Sequence, residues 1–319
     1  MRLKWALALA GVALAQQPQE SPTIKVSVNV VNILCSVRDN KGGLVGNLSK
    51  DDFTVSEEGK NQEIRYFTRE TDLPLTLGLL VDVSGSQRNL IETEKRTADQ
   101  FFGKVLRKQD MAFLIQFGPD AELVQDLTNS VVLLRDGLNS LHLWTDSGAQ
   151  YPGPVPTVNK PRGTVLYDAV YLAAREKLRS EVGRKAIVLI TDGVDEGSRL
   201  KLADAIEAAQ KADTIVYSIY YSDPGAYGGG GFMLGGVGNG DLRRMSEETG
   251  GRMFRVDRKN TLESIFQEIQ DEMRSQYAIG YVSSDDVAPE VYRRVDLRTK
   301  RKDLKVQARK GYYAAAPEK

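Results

Sequence analysis

The 319-residue chain has one cysteine, one histidine and no surplus of either charge, its 43 basic residues cancelling its 43 acidic ones. Each scarcity removes a class of function. A single thiol, Cys35, excludes an internal disulfide, and its place on the apolar side of a strand pattern marks it as a small core residue. A lone histidine, His142, excludes the two-histidine H-E-x-x-H helix of metalloproteases. It is also the one possible base for a serine triad, and the chain lacks the G-x-S-x-G elbow around Ser84 that such a triad needs. Charge balance without a long block of one sign gives no electrostatic grip on nucleic acid or anionic membrane, and the basic stretch 300–305 reads as a solvated strand turn. No segment after the N-terminus is long and apolar enough to span a bilayer. What remains is 41% hydrophobic and 27% charged, enough for one large core and a second small one.

The first residues have the layout of a secretory signal. Arg2 and Lys4 precede an apolar stretch, 5–14, that is well short of the roughly 20 residues a spanning helix needs, and Ala13-Leu14-Ala15 forms a small-x-small cleavage site. The expectation is a signal peptide over 1–15 and a mature chain from Gln16, exported to the periplasm, the cell surface or the medium, with no transmembrane segment.

From Ile24 the chain alternates with the period of a half-buried strand, and the phase flips at Val31, so that Val31, Ile33, Cys35 and Val37 continue on the odd positions. Either a bulge or a crossing between sheets accounts for the flip. Turn signals at 40–43 and 57–60 separate further short β runs near 53–55 and 64–67, which makes 16–72 an all-β segment. After residue 73 the pattern changes. Apolar runs at 75–83, 112–117, 186–190 and 214–220 alternate with amphipathic helical stretches at 88–108, 165–178, 200–212 and 262–273, the signature of a mostly parallel sheet covered on both faces. Beyond Gln276 strands return at 277–282, 292–298 and 304–310. Three strands are too few to bury a core alone. The economical arrangement over 277–314 joins them to the N-terminal strands in one β-sandwich, with 73–276 inserted and 315–319 left as a tail; independent β units at the two ends are the alternative.

In such a sheet the loops at the carboxyl ends of the strands converge on one rim. Asp82, Ser84 and Ser86 follow the first strand of the inserted segment, Asp192 follows the strand 186–190, and Thr164 opens the helix ahead of that strand. Together they offer three hydroxyls and two carboxylates, hard oxygen donors suited to Mg²⁺, Mn²⁺ or Ca²⁺ and poorly suited to zinc or copper. Neutral hydroxyl ligands leave a divalent cation most of its charge, so it stays electrophilic towards an incoming carboxylate.

Asp82-Val83-Ser84-Gly85-Ser86 resembles the D-x-S-x-S signature of the metal-ion-dependent adhesion site in von Willebrand factor type A domains, and Thr164 and Asp192 match that family's remaining threonine and aspartate. The resemblance covers about 73–276. It implies that the serines and the threonine contact the metal directly or through water, that the aspartates hold coordinating waters, and that an acidic side chain of a partner completes the sphere. The flanks, Leu48-Ser49-Lys50-Asp51-Asp52-Phe53 with the following Glu58-Gly59-Lys60-Asn61-Gln62, and the closing Ala308-Arg309-Lys310-Gly311-Tyr312-Tyr313, resemble a bacterial group of secreted von Willebrand factor A-related proteins abundant in acidobacteria.

Two long loops reach the same rim. The first, 141–161, carries Trp144 and Tyr151; the second lies in the glycine-rich tract 225–240 with Tyr227, Phe232 and Met233. The tract has no lysine and no G-K-[ST] ending, so it is not a phosphate loop. The tract reads equally as a partner-contacting segment or a solvated loop, and the first loop as a functional one, because long loops at a ligand rim are more often functional than long loops elsewhere. The sequence therefore points to an exported binding module, not an enzyme, that takes a protein's Asp or Glu carboxylate through a divalent cation, Mg²⁺ first. A metal-dependent hydrolase and an envelope scaffold with a vestigial site are the alternatives, and the absence of an evident general base beside the metal ligands favours binding.

Overall fold

The computed structural model describes residues 30–69, 73–144, 163–221, 237–285, 288 and 290–314. The signal segment, the alternating residues before Val30, the tail, and the rim residues Tyr151, Tyr227, Phe232 and Met233 lie outside the described residues.

Two architectures share the chain. The first is an antiparallel sandwich. Its N-terminal strands are β1 (Val30–Asp39), β2 (Phe53–Glu57), β3 (Lys60–Gln62) and β4 (Ile64–Arg69). The C-terminal ones are β11 (Tyr277–Val282), β12 (Tyr292–Thr299), β13 (Leu304–Ala308) and β14 (Gly311–Tyr313). They form two four-stranded sheets, β13-β1-β11-β4 and β14-β12-β2-β3. β1 lies between two C-terminal strands, with Ile33 opposite Ile279 and Val37 opposite Val306, so the two ends of the chain are joined. The odd-position phase of β1 is its buried one: Val31, Ile33, Cys35 and Val37 pack with Phe53, Val55, Tyr277, Tyr281, Leu297 and Tyr312 from both sheets. Burial pushes the Cys35 thiol far above its ordinary range.

The second architecture occupies the middle. β5 (Leu75–Asp82), β6 (Met111–Phe117), β7 (Ala121–Thr128), β8 (Arg184–Thr191), β9 (Thr214–Tyr220) and β10 (Met253–Arg255) form one sheet in the order β10-β9-β8-β5-β6-β7, parallel except for β7. Every residue of β5 and β8 is buried, as parallel strands covered on both faces must be. Odd positions of β5, from Leu75 to Val81, pack on one side with α1 (Ile91–Val105), α2 (Val131–Ser140) and α6 (Leu262–Arg274). Leu80 faces the other side with α3 (Leu166–Leu172), α4 (Leu202–Lys211) and α5 (Val237–Thr249). Gly78 faces Phe113 so closely that a Cβ there would lie 2.4 Å from Cζ of the ring. The helix begun as α3 widens into a π turn over 173–178. β7 and α2 have no counterpart in the apolar-run pattern: β7 is a half-exposed edge strand, and α2 leaves Val132 and Leu133 exposed.

The two parts meet through buried charge. Arg38 of β1 donates to Glu272 of α6 at 2.7 Å, and Arg252 reaches the same carboxylate at 3.2 Å. Among the described residues no helix is long and apolar enough to cross a membrane.

Candidate metal centre

Strand order decides where the polar loops gather. β6 lies on one side of β5, while β8, β9 and β10 run off on the other. Connections thus diverge between β5 and β8, and such a switch point leaves a crevice beyond the carboxyl ends of the strands. The register sets Val81 against Ile190, which brings Asp82 level with Thr191. The Thr191 hydroxyl donates to Asp82 Oδ2 at 2.6 Å, and the Ser84 N–H donates to Oδ1 at 2.9 Å.

Asp82 is fully buried. Burial, and then the nearby negative charge of Asp192, push its carboxyl up to about 7, against the opposing pull of hydrogen bonds from Ser84 and Thr191. The short turn that follows starts at Ser84, whose side chain does not cap it. Its hydroxyl instead lies 3.0 Å from that of Ser86. A turn that merely used its serines to satisfy backbone groups would have spent those hydroxyls on N–H donors; here the two oxygens face each other above a buried carboxylate.

Asp192, 5% exposed, holds its own loop by accepting from the Val194 N–H at 3.3 Å. Thr164 is seated on that loop by its backbone: its carbonyl accepts from the Glu196 N–H at 3.1 Å, and the next N–H, of Val165, donates to the Gly118 carbonyl at 2.8 Å. Gly163 makes the seat possible. Its φ is +124°, and a Cβ there would lie 2.8 Å from the Glu196 carbonyl oxygen. The same loop is laced to the first turn of α3, where Ser198 Oγ accepts from the Tyr167 N–H at 3.0 Å and the two oxygens of Asp168 accept from the N–H groups of Arg199 and Leu200. All three loops expected at the rim are therefore tied to one another by hydrogen bonds that run between strand ends.

Trp144 is the one rim aromatic among the described residues. Its N–H donates to the Val83 carbonyl at 2.9 Å, and its indole packs over Gly118, where a Cβ would lie 2.8 Å from Cδ1. It stands beside the Asp82–Ser86 turn and is 39% exposed. His142 is 6.2 Å from it, ring to ring.

Sequence reasoning missed three groups. Thr191 is the buried hydroxyl that orients Asp82. Gln87 is fully buried; its amide donates to the Tyr221 carbonyl at 3.2 Å, and its Oε1 has no donor among the described residues. Glu94 is a buried carboxyl that the reading of the rim loops did not include. It is 1% exposed, neither of its carboxyl oxygens meets a donor among the described residues, and burial followed by the charges of Asp82 and Asp192 push it well above the ordinary carboxylate range. A signal for it existed. In α1 the buried stripe runs Ile91, Glu94, Ala98, Phe101, Val105, and a carboxylate on the apolar stripe of an amphipathic helix is an anomaly that asks for a partner.

These residues fit a hard divalent cation: two hydroxyls held together, two carboxylates at one crevice, and a third buried carboxyl on which no cationic side chain among the described residues acts. Among the described residues no three His, Cys, Asp or Glu side chains gather tightly enough to hold a metal by themselves, so any cation here depends on the hydroxyls.

No protein-family model and no curated protein matches the chain. Among solved structures it is similar to the conserved hypothetical protein BatB from Bacteroides thetaiotaomicron, at 21% identity over 63% of this chain and 100% of that one, with a TM-score of 0.45. It is similar to proximal thread matrix protein 1 from the mussel byssus, solved with a zinc-occupied MIDAS motif, at 11% identity over 69% of this chain and 50% of that one, TM-score 0.49. It is also similar to the vWF domain of the type V pili tip protein Mfa5 from Porphyromonas gingivalis, at 13% identity over 68% of this chain and 98% of that one, TM-score 0.46.

Proposed function

We propose that the chain is an exported von Willebrand factor A-type binding module that recognises an acidic group of a protein partner through a divalent cation. The observation that carries the reading is the pair of facing hydroxyls, Ser84 and Ser86, over the buried Asp82 at the switch point of the sheet. Ser84, Ser86 and Thr164 would hold the cation, with Mg²⁺ first and Mn²⁺ or Ca²⁺ as alternatives; Asp82 and Asp192 would hold its water shell. Once bound, the cation supplies an electrophile with an exchangeable position for an incoming Asp or Glu carboxylate. The chain's own residues set that preference, because neutral hydroxyls cancel none of the charge while the buried carboxylates keep the ion seated. Trp144, half-exposed beside the turn, would flank the partner. The reading is of a binding module and not an enzyme, and Glu94, a further buried carboxyl among the described residues, is too buried to meet a substrate.

Calorimetry of Mg²⁺ and then of the partner tests it. Thr164→Ala should keep much of the cation affinity and lose the partner, whereas Asp192→Ala should weaken the cation itself. The partner is sought by pull-down from the host's own envelope fraction with and without EDTA; capture undiminished by EDTA would refute the metal-bridged mechanism. Mg²⁺-dependent turnover would favour a hydrolase, and a folded protein that binds no cation would favour a scaffold with a vestigial site.

A further inference from the structure

Three acceptor oxygens on the segment that leaves the Asp82–Ser86 turn, Gln87 Oε1 and both oxygens of Glu94, are buried without a donor among the described residues. Buried polar oxygens almost always have a hydrogen-bond partner, from protein or from ordered water. A buried carboxyl that has neither a donor nor a cationic neighbour among the described residues, and on which the charges of two further carboxylates act, is the reverse of what a self-sufficient core would hold. The position is not one that the helix requires. Ile91, Ala98, Phe101 and Val105 on the same stripe are apolar, and a leucine or methionine at 94 would complete it.

We propose that Glu94, assisted by Gln87, is a positioning residue of the cation site: from the first turn of α1 it accepts hydrogen bonds from the cation's water shell and adds a buried negative charge that retains the ion before any partner arrives. This rests on the cation-binding reading above. Among the described residues no three His, Cys, Asp or Glu side chains gather to hold a metal by themselves, so Glu94 is assigned to the ion's water shell and not to its ligands. Among the described residues its oxygens meet no donor, so the water shell of a divalent ion at the turn is the group that would satisfy them. The division of labour follows. The hydroxyls leave the ion electrophilic towards the partner, while the buried carboxylate, out of the partner's reach, opposes loss of the ion.

The experiment uses the full mature chain and Mn²⁺ as the probe, its free form counted by electron paramagnetic resonance, with Mg²⁺ calorimetry alongside. Glu94→Gln and Glu94→Met are compared with wild type and with Asp82→Ala. Both Glu94 variants should fold, melt at the same or a higher temperature than wild type in EDTA, and bind Mn²⁺ at least about tenfold more weakly, as removal of one buried charge near a divalent ion demands. A Glu94 that merely fills space would leave Mn²⁺ affinity unchanged, and equal affinity in wild type and both variants overturns the inference while sparing the cation-binding reading. If wild type and Asp82→Ala alike bind no Mn²⁺, both fall. If Glu94→Gln alone fails to fold, Glu94→Met decides by the same criterion; if neither variant folds, Glu94 is a structural acceptor and the inference is overturned.

Discussion

Asp82→Asn should stabilise the cation-free protein at alkaline pH, although it removes a residue from the centre of the site. The reasoning starts from a carboxyl with no exposed surface whose titration is pushed from 3.8 up to about 7 by burial and by Asp192. A raised folded-state value means that the native protein prefers the protonated form. The stability is then fully present below about pH 4 and lost as the pH rises through about 7. A shift of roughly 3 units at 1.36 kcal/mol each makes the ionised Asp82 a burden of about 4 kcal/mol above pH 8 when no cation is bound. Asparagine removes that burden but offers one acceptor oxygen where the carboxylate met both the Ser84 N–H and the Thr191 hydroxyl, a loss of about 1 kcal/mol. The net gain is about 2–3 kcal/mol at about pH 8.5 in EDTA, and it should be gone by about pH 4, where Asp82 is protonated in the unfolded chain as well as in the folded one. Glu94 contributes a slope of the same sign to both proteins, so their difference reports mainly on Asp82. Adding Mg²⁺ at about 100 times its dissociation constant should stabilise wild type by about 2.7 kcal/mol and the variant far less, closing the gap. Urea unfolding of both proteins at the two pH values, with EDTA and with Mg²⁺, is the assay. If Asp82→Asn is less stable than wild type at both pH values in EDTA, the buried carboxylate is not a burden and the electrostatic account of the site is wrong.

Other outcomes follow from the packing. Glu57 is fully buried and held by Arg293 at 2.8 Å, with Ser283 also donating to it at 2.9 Å; Arg293→Met should destabilise by about 3–5 kcal/mol by stranding the carboxylate, and the double variant with Glu57→Gln should recover much of the loss in urea unfolding. Cys35, 1% exposed and with its thiol pushed far up by burial, should not react with a thiol reagent until the chain unfolds; rapid labelling of the native protein would contradict its place in the sandwich core. A Cβ on Gly251 would lie 2.0 Å from the Val216 carbonyl oxygen, whereas one on Gly103, inside α1, would meet nothing. Gly251→Ala should therefore cost at least about 2 kcal/mol and Gly103→Ala gain up to about 1 kcal/mol, and similar melting shifts for the two would refute the steric account of Gly251.

The parallel strands were legible because each is buried along its whole length, which reads as an unbroken apolar run, and the helices because each covers one face and so keeps its period. The D-x-S-x-S turn is local chemistry and was legible for the same reason. What escaped was half-exposed: β7 at the sheet edge alternates too weakly to stand out, and α2 wears apolar residues on its outer face.

The sequence by itself determined the alternation of strands and helices, the odd-position core face of β1, and the oxygen donors that the rim loops carry, since all three depend on residue type and near neighbours along the chain. Only the tertiary structure decided that β8 stands beside β5. A sequence pattern contains no strand order, and it is that order which puts Asp82 level with Thr191 and Thr164 on the loop of Asp192. The pairing of β1 with β11 and β13 was likewise a choice between distant segments, open until the registers were formed. Glu94 shows the limit most clearly. Its place on an apolar stripe could be read from the helical period, but its lack of a donor among the described residues, and the charges of Asp82 and Asp192 that act on it, belong to the folded chain, because burial and field are properties of everything packed around a residue and not of the residue's own neighbours in sequence.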